Sequence, residues 1–253
     1  MGERVTFQPN FSCGECSLCR NGNENICSNK VRLGIDVNGG FAEYVRVPQK
    51  YIWRLPENLP DSRAALTEPL AVALHGHKKG HPVPGEKVLV YGAGVIGLLY
   101  LQLAILAGGD VTAFDIAEPR LAIAKNLGAK RTVRSLSDLE KESGTFSLVY
   151  EISGIPEALS HIVRLCAPGG RAVLTGLPEH EYPVLTTPIV RKELTIQGSM
   201  IYQDEFPAAI DLLHGGEINV QPLISDTYPL EKLQEALEDF RSPKRVKTLI
   251  RIP

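Results

Sequence analysis

The chain has 253 residues, 43% of them hydrophobic, with 27 Lys and Arg against 29 Asp and Glu and a formal net charge of -2. This composition is typical of a globular protein and excludes a disordered or collagen-like chain. The near balance of charges argues against a nucleic-acid partner, because binding to phosphates requires a clustered cationic surface.

The N-terminal residues 1–5 contain no apolar run behind basic residues, so the sequence predicts no secretory signal and a cytoplasmic location is expected. One apolar stretch, 88–109, has the length of a membrane span. Gly92, Gly94 and Gly97 divide that stretch into a strand, a tight turn and a helix, which is the pattern of a buried strand and helix unit. We therefore expect no membrane-spanning segment.

Four cysteines lie close together near the N-terminus, in the pattern C-x2-C-x2-C-x7-C: Cys13, Cys16, Cys19 and Cys27. This spacing, without an export signal, favours thiolates around a metal over disulfides. Four sulfurs complete the tetrahedral shell of zinc, so the pattern predicts a structural site with no open position for a substrate. The alternative is four reduced cysteines without a metal. Cys166 lies alone in an apolar helical pattern and is expected to be a small buried residue.

Residues 1–61 are rich in Gly, Pro, Asn and Cys, and they predict an irregular, β-rich region with a strand over 41–47. From 62 to 203, short apolar runs alternate with amphipathic ones. The alternation predicts strands over 87–91, 110–115, 146–152, 171–176 and 193–198, and helices over 95–107, 118–127 and 156–166. This order is typical of a parallel sheet with helices on both faces. Residues 204–253 predict helices over 204–214 and 230–241 and a strand over 246–252.

The segment Gly92-Ala93-Gly94-Val95-Ile96-Gly97 joins a predicted strand directly to a predicted helix. In this context the three glycines predict the turn of a Rossmann fold, where backbone N-H groups at a helix N-terminus bind a pyrophosphate. Asp115 ends the next predicted strand, where a carboxylate accepts hydrogen bonds from ribose hydroxyls and repels the 2′-phosphate of NADP. The pattern therefore favours NAD. The alternative is a glycine turn that binds nothing.

Arg120 follows Asp115 closely, and its guanidinium could contact either adenine or a 2′-phosphate. With Asp115 present, we interpret Arg120 as a contact to the adenosine of NAD. Ser153 is predicted to end another strand of the same sheet, which places it beside the same crevice.

The cysteine pattern and the glycine motif together resemble the medium-chain, zinc-dependent alcohol and polyol dehydrogenases, and the resemblance spans essentially the whole chain. Residues 2–5 are similar to the family's G-D-R-V, residues 39–44 to its G-G-F-A-E-Y, and Glu68-Pro69-Leu70 to the E-P-L of its sorbitol and threonine dehydrogenase branch. The resemblance implies a partial GroES-like, β-rich catalytic domain over 1–61, an NAD-binding Rossmann domain over 62–203, and a return to the catalytic domain over 204–253.

This resemblance also implies an NAD-dependent oxidation of a secondary alcohol, a polyol or an amino alcohol, to a ketone. The β run before Gly198-Ser199 is similar to the family's dimer-forming strand, which implies a homodimer or homotetramer. The cofactor contacts implied in this way are Val95 and Ile96 at the pyrophosphate, Asp115 and Arg120 at the adenosine, Gly176 and Leu177 at the nicotinamide, and Ser199 and Met200 closing that end.

A second, catalytic zinc belongs to the family's mechanism, held by a Cys, a His in a G-H-E motif and a third protein group. Glu68 stands at the position of that third group, as a ligand or as a carboxylate that reaches the metal through water. The Cys and the G-H-E would precede Gly2, so the catalytic site is expected to be incomplete in this chain. Two interpretations stay open: a dehydrogenase whose recorded chain begins late, and a catalytically silent NAD-binding protein with a structural zinc.

Two further possibilities are disfavoured. The first is a metal site built from His75, His77 and His81 with Glu68 nearby. It is disfavoured because the family has a histidine without a ligand role at the position of His75, and because the other two histidines look like exposed linker residues. The second is a relative of the zinc-free quinone reductases. It is disfavoured because the cysteine pattern and Glu68 would have no role in such a protein.

Overall fold

The computed structural model describes residues 2–253. The strands in this part of the chain are β1 (Val5–Phe7), β2 (Asn10–Phe11), β3 (Val31–Arg32), β4 (Ile52–Arg54), β5 (Lys87–Tyr91), β6 (Asp110–Phe114), β7 (Arg131–Val133), β8 (Phe146–Glu151), β9 (Cys166–Leu174), β10 (Thr195–Gly198), β11 (Ile224–Pro229) and β12 (Lys247–Arg251). The α-helices are α1 (Ser17–Arg20), α2 (Asp61–Ala64), α3 (Thr67–Gly80), α4 (Val95–Leu106), α5 (Glu118–Asn126), α6 (Leu136–Glu140), α7 (Ala158–Leu165), α8 (Thr186–Arg191), α9 (Phe206–Gly215) and α10 (Leu233–Asp239). Short 3-10 turns occupy Glu24–Ile26, Gln49–Tyr51, Gln221–Leu223 and Leu230–Lys232.

The chain divides into two compact units, one formed by Met1–Val72 with Met200–Pro253 and the other by Ala73–Ser199. The sequence predicted divisions at 61/62 and 203/204, whereas the structural units divide at 72/73 and 199/200. The first division falls inside α3, which is absent from the helices predicted above.

The second unit is built on a six-stranded sheet in the order β10-β9-β8-β5-β6-β7, with every neighbouring pair parallel. Its central strands are buried, since both faces of a parallel sheet are covered by helices. The buried side chains between the sheet and the helices include Leu89, Val149, Ile162 and Leu165. The predicted α/β fold with a doubly wound parallel sheet is therefore confirmed.

From β5 the chain adds β6 and β7 on one side and later β8, β9 and β10 on the other. The strand order therefore reverses next to β5. In doubly wound sheets, ligands bind outside the carboxyl ends of the strands at this reversal. The residues that directly follow β5, β6, β8 and β9 therefore lie close together, at the carboxyl ends of these parallel strands.

The first unit contains small sheets only among its described residues. β1 pairs with β4 and β2 with β3, both antiparallel, while β11 and β12 run parallel. The strand predicted over 41–47 does not form, and Phe41 and Tyr44 in that segment are 60% and 90% exposed. A strand needs a neighbour to pair its N-H and C=O groups, and the sequence pattern says nothing about whether one is present.

The apolar stretch 88–109 folds as predicted, with β5, a glycine turn and α4 in succession. Across residues 2–253, no helix combines the length and the apolar character that crossing a membrane requires. Cys166 is 1% exposed, as expected for a small buried residue, but it begins β9 instead of ending the preceding helix. Helix α7 stops at Leu165 because the next residue is extended and pairs with Phe146 of β8.

Candidate functional site

The glycine turn after β5 has room for glycine alone at two positions. Gly92 has φ +107°, and a Cβ there would lie 2.9 Å from the backbone nitrogen of Ser153. A Cβ on Gly97 would lie 1.8 Å from the carbonyl oxygen of Gly92, so α4 packs directly against the turn. These contacts are the physical reason for the first and third glycines of the motif.

Gly94 is the N-cap of α4, and a Cβ on it would meet nothing within 4 Å. The space in front of the helix N-terminus is therefore open. Val95 and Ile96, both half-buried, form the first turn of α4, whose N-H groups have no partner inside the helix. Such a terminus attracts anions through its N-H groups and its partial positive charge.

Asp115 directly follows β6 and is only 7% exposed. One carboxylate oxygen accepts a hydrogen bond from the backbone N-H of Ala93, and the other accepts one from Ala117, both at 2.8 Å. Arg120 places a guanidinium nitrogen 3.7 Å from the same carboxylate. Asp115 thus connects the glycine turn to the end of β6 and keeps a negative charge at the crevice.

A cavity of about 260 Å³ opens at the carboxyl ends of the parallel strands. Its lining residues come from the ends of β5, β6 and β8: Tyr91, Gly92, Gly94, Phe114, Asp115, Ile116, Arg120, Ile152, Ser153 and Ile155. The Tyr91 hydroxyl lies 2.9 Å from Nδ1 of His161. Burial, together with the charge of Glu151, raises the pKa of Tyr91 to about 12, so this hydroxyl stays protonated at neutral pH. Apolar walls with a few fixed polar groups are typical of a ligand pocket.

The residues predicted for the nicotinamide end lie at the carboxyl ends of the adjacent strands. Gly176 and Leu177 follow β9, and Leu177 is 74% exposed. Ser199 follows β10 and its N-H donates to the carbonyl of Leu174 at 2.8 Å. Met200 belongs to the first unit, where its carbonyl accepts a hydrogen bond from the Asn25 side chain at 3.0 Å.

The four cysteines near the N-terminus are brought together, with all four sulfurs within 4.8 Å of one another. Four of the Sγ pairs lie 3.4 to 3.9 Å apart, with Cys16 and Cys19 at 3.4 Å and Cys13 and Cys19 at 3.9 Å. Tetrahedral zinc with sulfur ligands at about 2.3 Å requires sulfurs about 3.8 Å apart. The donor set and its spacing therefore fit zinc.

Backbone N-H groups point at these sulfurs, which favours thiolates over thiols. The N-H of Asn29 lies 3.3 Å from the sulfur of Cys27, and that of Cys16 lies 3.4 Å from the sulfur of Cys13. A backbone hydrogen bond from Cys19 lowers the pKa of Cys16 to about 6, whereas burial raises the pKa of Cys19 to about 12. A bound cation would remove that burial penalty, because it supplies the missing positive charge.

Glu68 lies near the start of α3 and lines a cavity of about 610 Å³ in the first unit, whose walls are mostly apolar. Lys247 of β12 lines the same cavity. Burial raises the pKa of the Glu68 carboxyl, and the positive charge of Lys247 opposes that shift. Over residues 2–253, the four cysteines are the one group of three or more His, Cys, Asp or Glu side chains close enough to hold a metal. The described residues thus give Glu68 no partner ligands, and they do not fit a catalytic zinc.

The histidines of α3 and its end do not gather around a metal site in the part of the chain that the structure describes. His75 is buried and His81 follows the helix, with φ +43°. His77 differs from the exposed linker residue expected for it. It lies half-buried within α3, with Nδ1 3.2 Å from the Tyr150 hydroxyl. Burial lowers the pKa of His77 to about 4, so it is neutral at physiological pH.

One acidic residue of the crevice is missing from the sequence-based candidates. Glu151 ends β8 and is 4% exposed, between the buried strand and the Ser153-Gly154 turn. The available signal is a single carboxylate at the end of an otherwise apolar strand. Charged residues are rarely buried so deeply without partners, so the position stands out once the strand is assigned.

Comparison with known proteins gives matches over both units. Residues 1–57 match the alcohol dehydrogenase GroES-like domain and residues 95–215 the zinc-binding dehydrogenase family. The chain is 35% identical over 262 residues to the L-threonine 3-dehydrogenase of Bacillus subtilis (strain 168), which covers 99% of this chain and 75% of that protein.

Solved structures agree with these matches. A short chain alcohol dehydrogenase (rspB) from E. coli CFT073, complexed with cofactor NADH, superposes with a TM-score of 0.92 at 33% identity, over 99% of this chain and 77% of that one. A protein of Sinorhizobium meliloti 1021 bound to NADP superposes with a TM-score of 0.94 at 33% identity, over 100% and 77% of the two chains.

A doubly wound parallel sheet with a glycine turn and an acidic residue after the next strand defines the Rossmann class of α/β proteins. Within that class, the chain belongs to the zinc-type medium-chain alcohol and polyol dehydrogenases, a family of oxidoreductases.

Proposed function

We propose that this protein binds NAD and oxidises a secondary alcohol, a polyol or an amino alcohol, to a ketone. The observation that carries this proposal is the Asp115 carboxylate, held by two backbone N-H groups beside the glycine turn and lining the cavity at the end of β6. A small-molecule alcohol is the class of substrate that the family takes. The L-threonine 3-dehydrogenase of Bacillus subtilis, an amino-alcohol dehydrogenase by its name, supports the same class here.

In this proposal the second unit holds the cofactor with its own backbone and side chains. The N-H groups of the first turn of α4, at Val95 and Ile96, bind the pyrophosphate, which Gly94 allows to approach. Asp115 accepts hydrogen bonds from the adenosine ribose, and Arg120 lies along the adenine. Ser153, Gly176, Leu177 and Ser199 receive the nicotinamide, with Met200 completing that end.

Bound NAD would supply a hydride acceptor for the alcohol carbon, so that a C=O bond would form as the hydroxyl proton is lost to solvent. A carboxylate at the ribose favours NAD over NADP, because the 2′-phosphate of NADP would lie against Asp115. The zinc at Cys13, Cys16, Cys19 and Cys27 is structural in this proposal: it neutralises the thiolates and holds their loop in one conformation.

A second candidate function is catalytically silent NAD binding with the same structural zinc. It is favoured by Glu68, which has no metal-ligating neighbours among residues 2–253 and faces Lys247 across an apolar cavity. An amine at that position competes with a cation for the carboxylate.

The experiment combines metal analysis, NADH binding and turnover on one preparation. One zinc per chain, NADH binding and oxidation of sorbitol, threonine or butanediol would support the dehydrogenase. One zinc with NADH binding and no turnover of any of the three would support the silent binder. Cys16→Ser serves as a control, since it removes the structural zinc while leaving the NADH site of the second unit in place. Absence of NADH binding by the unmodified protein would contradict both.

A further inference from the structure

Glu151 is a buried carboxylate that the proposed cofactor contacts leave without a role. It ends β8, the strand next to β5 at the reversal of strand order, and it is 4% exposed. Moving a charged carboxylate out of water is unfavourable unless hydrogen bonds replace the lost hydration. The contacts of Glu151 therefore show what the chain gains from keeping it there.

One side-chain oxygen of Glu151 accepts two hydrogen bonds from the turn that follows β8. The donors are the Ser153 hydroxyl at 2.5 Å and the Gly154 backbone N-H at 2.9 Å. The main-chain carbonyl of Glu151 accepts two more from the turn that follows β9, from Thr175 at 2.9 Å and Gly176 at 3.1 Å. The side chain of Glu151 thus fixes the turn after β8, while its main chain bonds the turn after β9.

The two turns also contact each other directly, because both have glycine at the contact. A Cβ on Gly154, which has φ +66°, would lie 2.9 Å from the carbonyl oxygen of Leu177. A Cβ on Gly176 would lie 2.3 Å from the Gly154 nitrogen and 2.6 Å from the second carboxylate oxygen of Glu151. Real Cβ atoms are essentially never found so close to other atoms, so any side chain at Gly176 would separate the turns.

The place of these turns in the sheet indicates which half of a dinucleotide they face. Each half of a doubly wound sheet binds one mononucleotide, and the pyrophosphate crosses the point where the strand order reverses. The cavity with Asp115 takes the adenosine half; its lining lies mainly around the ends of β5 and β6 and reaches Ile152, Ser153 and Ile155 after β8. The other half then lies over the ends of β8 and β9, where Glu151 joins the turns.

We propose that Glu151 is a positioning residue: it holds the turns after β8 and β9 in contact and so forms the wall of the crevice that receives the nicotinamide mononucleotide half of NAD. This inference rests on the proposed NAD binding and adds to it a residue that determines affinity for one half of the cofactor. Glu151 acts through Ser153, Gly154 and Gly176 and does not itself contact the cofactor.

The test compares two ligands that share the adenosine half, ADP and NADH, by titration calorimetry on the full chain. Glu151→Ala removes the side-chain acceptor, so NADH should bind about tenfold more weakly, about 1.4 kcal/mol. ADP meets only the Ser153 part of these turns, so its affinity should fall by less than about threefold. Glu151→Gln keeps one oxygen able to accept both hydrogen bonds, and it should restore NADH affinity to within about threefold of the unmodified protein. General damage to the fold would weaken both ligands and would not be repaired by glutamine.

Gly176→Ala supplies a second variant should Glu151→Ala not fold, since its Cβ would press on the Gly154 nitrogen and on the Glu151 carboxylate and so separate the same turns while the charge of Glu151 is kept. It too should weaken NADH and spare ADP. Glu157→Ala, at an exposed glutamate six residues further along, is the matched control and should change neither affinity. Equal loss of ADP and NADH binding, or unchanged NADH binding in both Glu151→Ala and Gly176→Ala, would overturn the inference. If the unmodified protein binds neither ligand, the proposed function itself fails.

Discussion

Asp115 carries structural and functional roles at the same two oxygen atoms. Each oxygen already accepts one backbone N-H, from Ala93 and from Ala117, and each has a further lone pair available to a ribose hydroxyl. Because the carboxylate is 7% exposed, these hydrogen bonds are little weakened by competition from water. The residue therefore fixes the glycine turn before any cofactor binds, and in the proposed function its charge is available to the ribose.

Replacement of Asp115 by asparagine should weaken both roles. An amide presents one oxygen and one NH2 group, so one of the two backbone N-H groups loses its acceptor, and we expect unfolding stability to fall by about 1–3 kcal/mol. Loss of the charge should reduce the preference for NAD over NADP by about tenfold, about 1.4 kcal/mol. Calorimetric titration with NADH and NADPH measures the ratio. Asp138→Asn, at an exposed position on α6, is the control, and an unchanged ratio in Asp115→Asn would contradict this role.

At the scale of single residues, the sequence predicted those site residues that lie close to one another along the chain at a characteristic spacing. Gly92, Gly94, Gly97 and Asp115 are separated by one strand and one helix, and the four cysteines lie within one loop region. Glu151 shows the limit. The hydrogen-bond partners of its side chain, Ser153 and Gly154, are local, but the approach of its carboxylate to Gly176 after β9 depends on strand order and register, which local patterns do not contain.

Helix α3 packs closely against helix α4 and strand β8 because two glycines four residues apart leave room for two tyrosine hydroxyls. A Cβ on Gly76 would lie 1.6 Å from the Tyr100 hydroxyl, and a Cβ on Gly80 would lie 2.6 Å from the Tyr150 hydroxyl. The Tyr100 hydroxyl is held by the Thr175 side chain at 2.8 Å. The rings of Tyr100 and Tyr150 also pack together, with centroids 4.5 Å apart, so neither can move freely.

Gly76→Ala should therefore destabilise the protein although alanine favours helices. The gain in helix propensity is about 1 kcal/mol, whereas forcing a methyl group into a packed core costs about 1–3 kcal/mol and more at so short a distance. We expect a net loss of about 2 kcal/mol in urea unfolding. Tyr100→Phe in the same background should recover part of it, because the nearest atom is removed. If Gly76→Ala alone were as stable as the unmodified protein, the result would contradict this packing.

Gly215→Ala is the matched control for that substitution. Its Cβ would also come close to another atom, at 2.2 Å, but that atom is a carboxylate oxygen of Glu217, at the end of a flexible side chain. Gly215 is the last residue of α9 and is exposed. We expect no loss of stability, since Glu217 can turn away at little cost.

His77 gives α3 a dependence on pH. Burial lowers its pKa to about 4 from 6.5 in the unfolded chain, so below about pH 6.5 the unfolded state binds a proton that the folded state does not. Stability contributed by neutral His77 is therefore present above that pH and is lost as the pH falls through the window down to about 4. We expect a decrease of about 1–2 kcal/mol in urea unfolding free energy between about pH 7 and about pH 5.

His77→Gln should remove this part of the pH dependence while keeping a hydrogen-bonding group opposite Tyr150. His214→Gln, at an exposed histidine on α9, is the control and should retain the decrease. A pH profile of His77→Gln identical to that of the unmodified protein would assign the dependence to other groups.

The ends of elements that are long enough to show a regular spacing of apolar residues were predictable to within a residue or two. Strand β5 and helices α4 and α5 match their expected ranges closely, since each has enough residues to show its period. Short elements such as β7 and α8 were absent from the prediction because three residues of a strand and six residues of a helix do not define a period. The segment 41–47 has the pattern of a strand and no strand forms, since pairing is a property of the neighbours.

At the scale of the whole molecule, the sheet of the second unit ends in two unlike edges. β7 carries the charged Arg131 at one edge, whereas β10 at the other edge consists of Thr195-Ile196-Gln197-Gly198 without any charge. Natural edge strands usually carry charges, prolines or bulges that prevent pairing with another chain. An uncharged, exposed edge strand is free to pair with a second copy of itself across a two-fold axis, which would continue the sheet from one protomer into the next.

We therefore expect the protein to form a homodimer or homotetramer through β10. The double substitution Thr195→Lys and Gln197→Lys places four ammonium groups at the two-fold contact of a dimer, and their repulsion and hydration should shift the mass measured by light scattering to that of a monomer. Ser137→Lys, on exposed α6 beside the opposite edge, should leave the mass unchanged. ADP binding should persist in the double variant, because β10 contributes no residue to the lining of the Asp115 cavity. An oligomer unaffected by both lysines would show that association uses another surface.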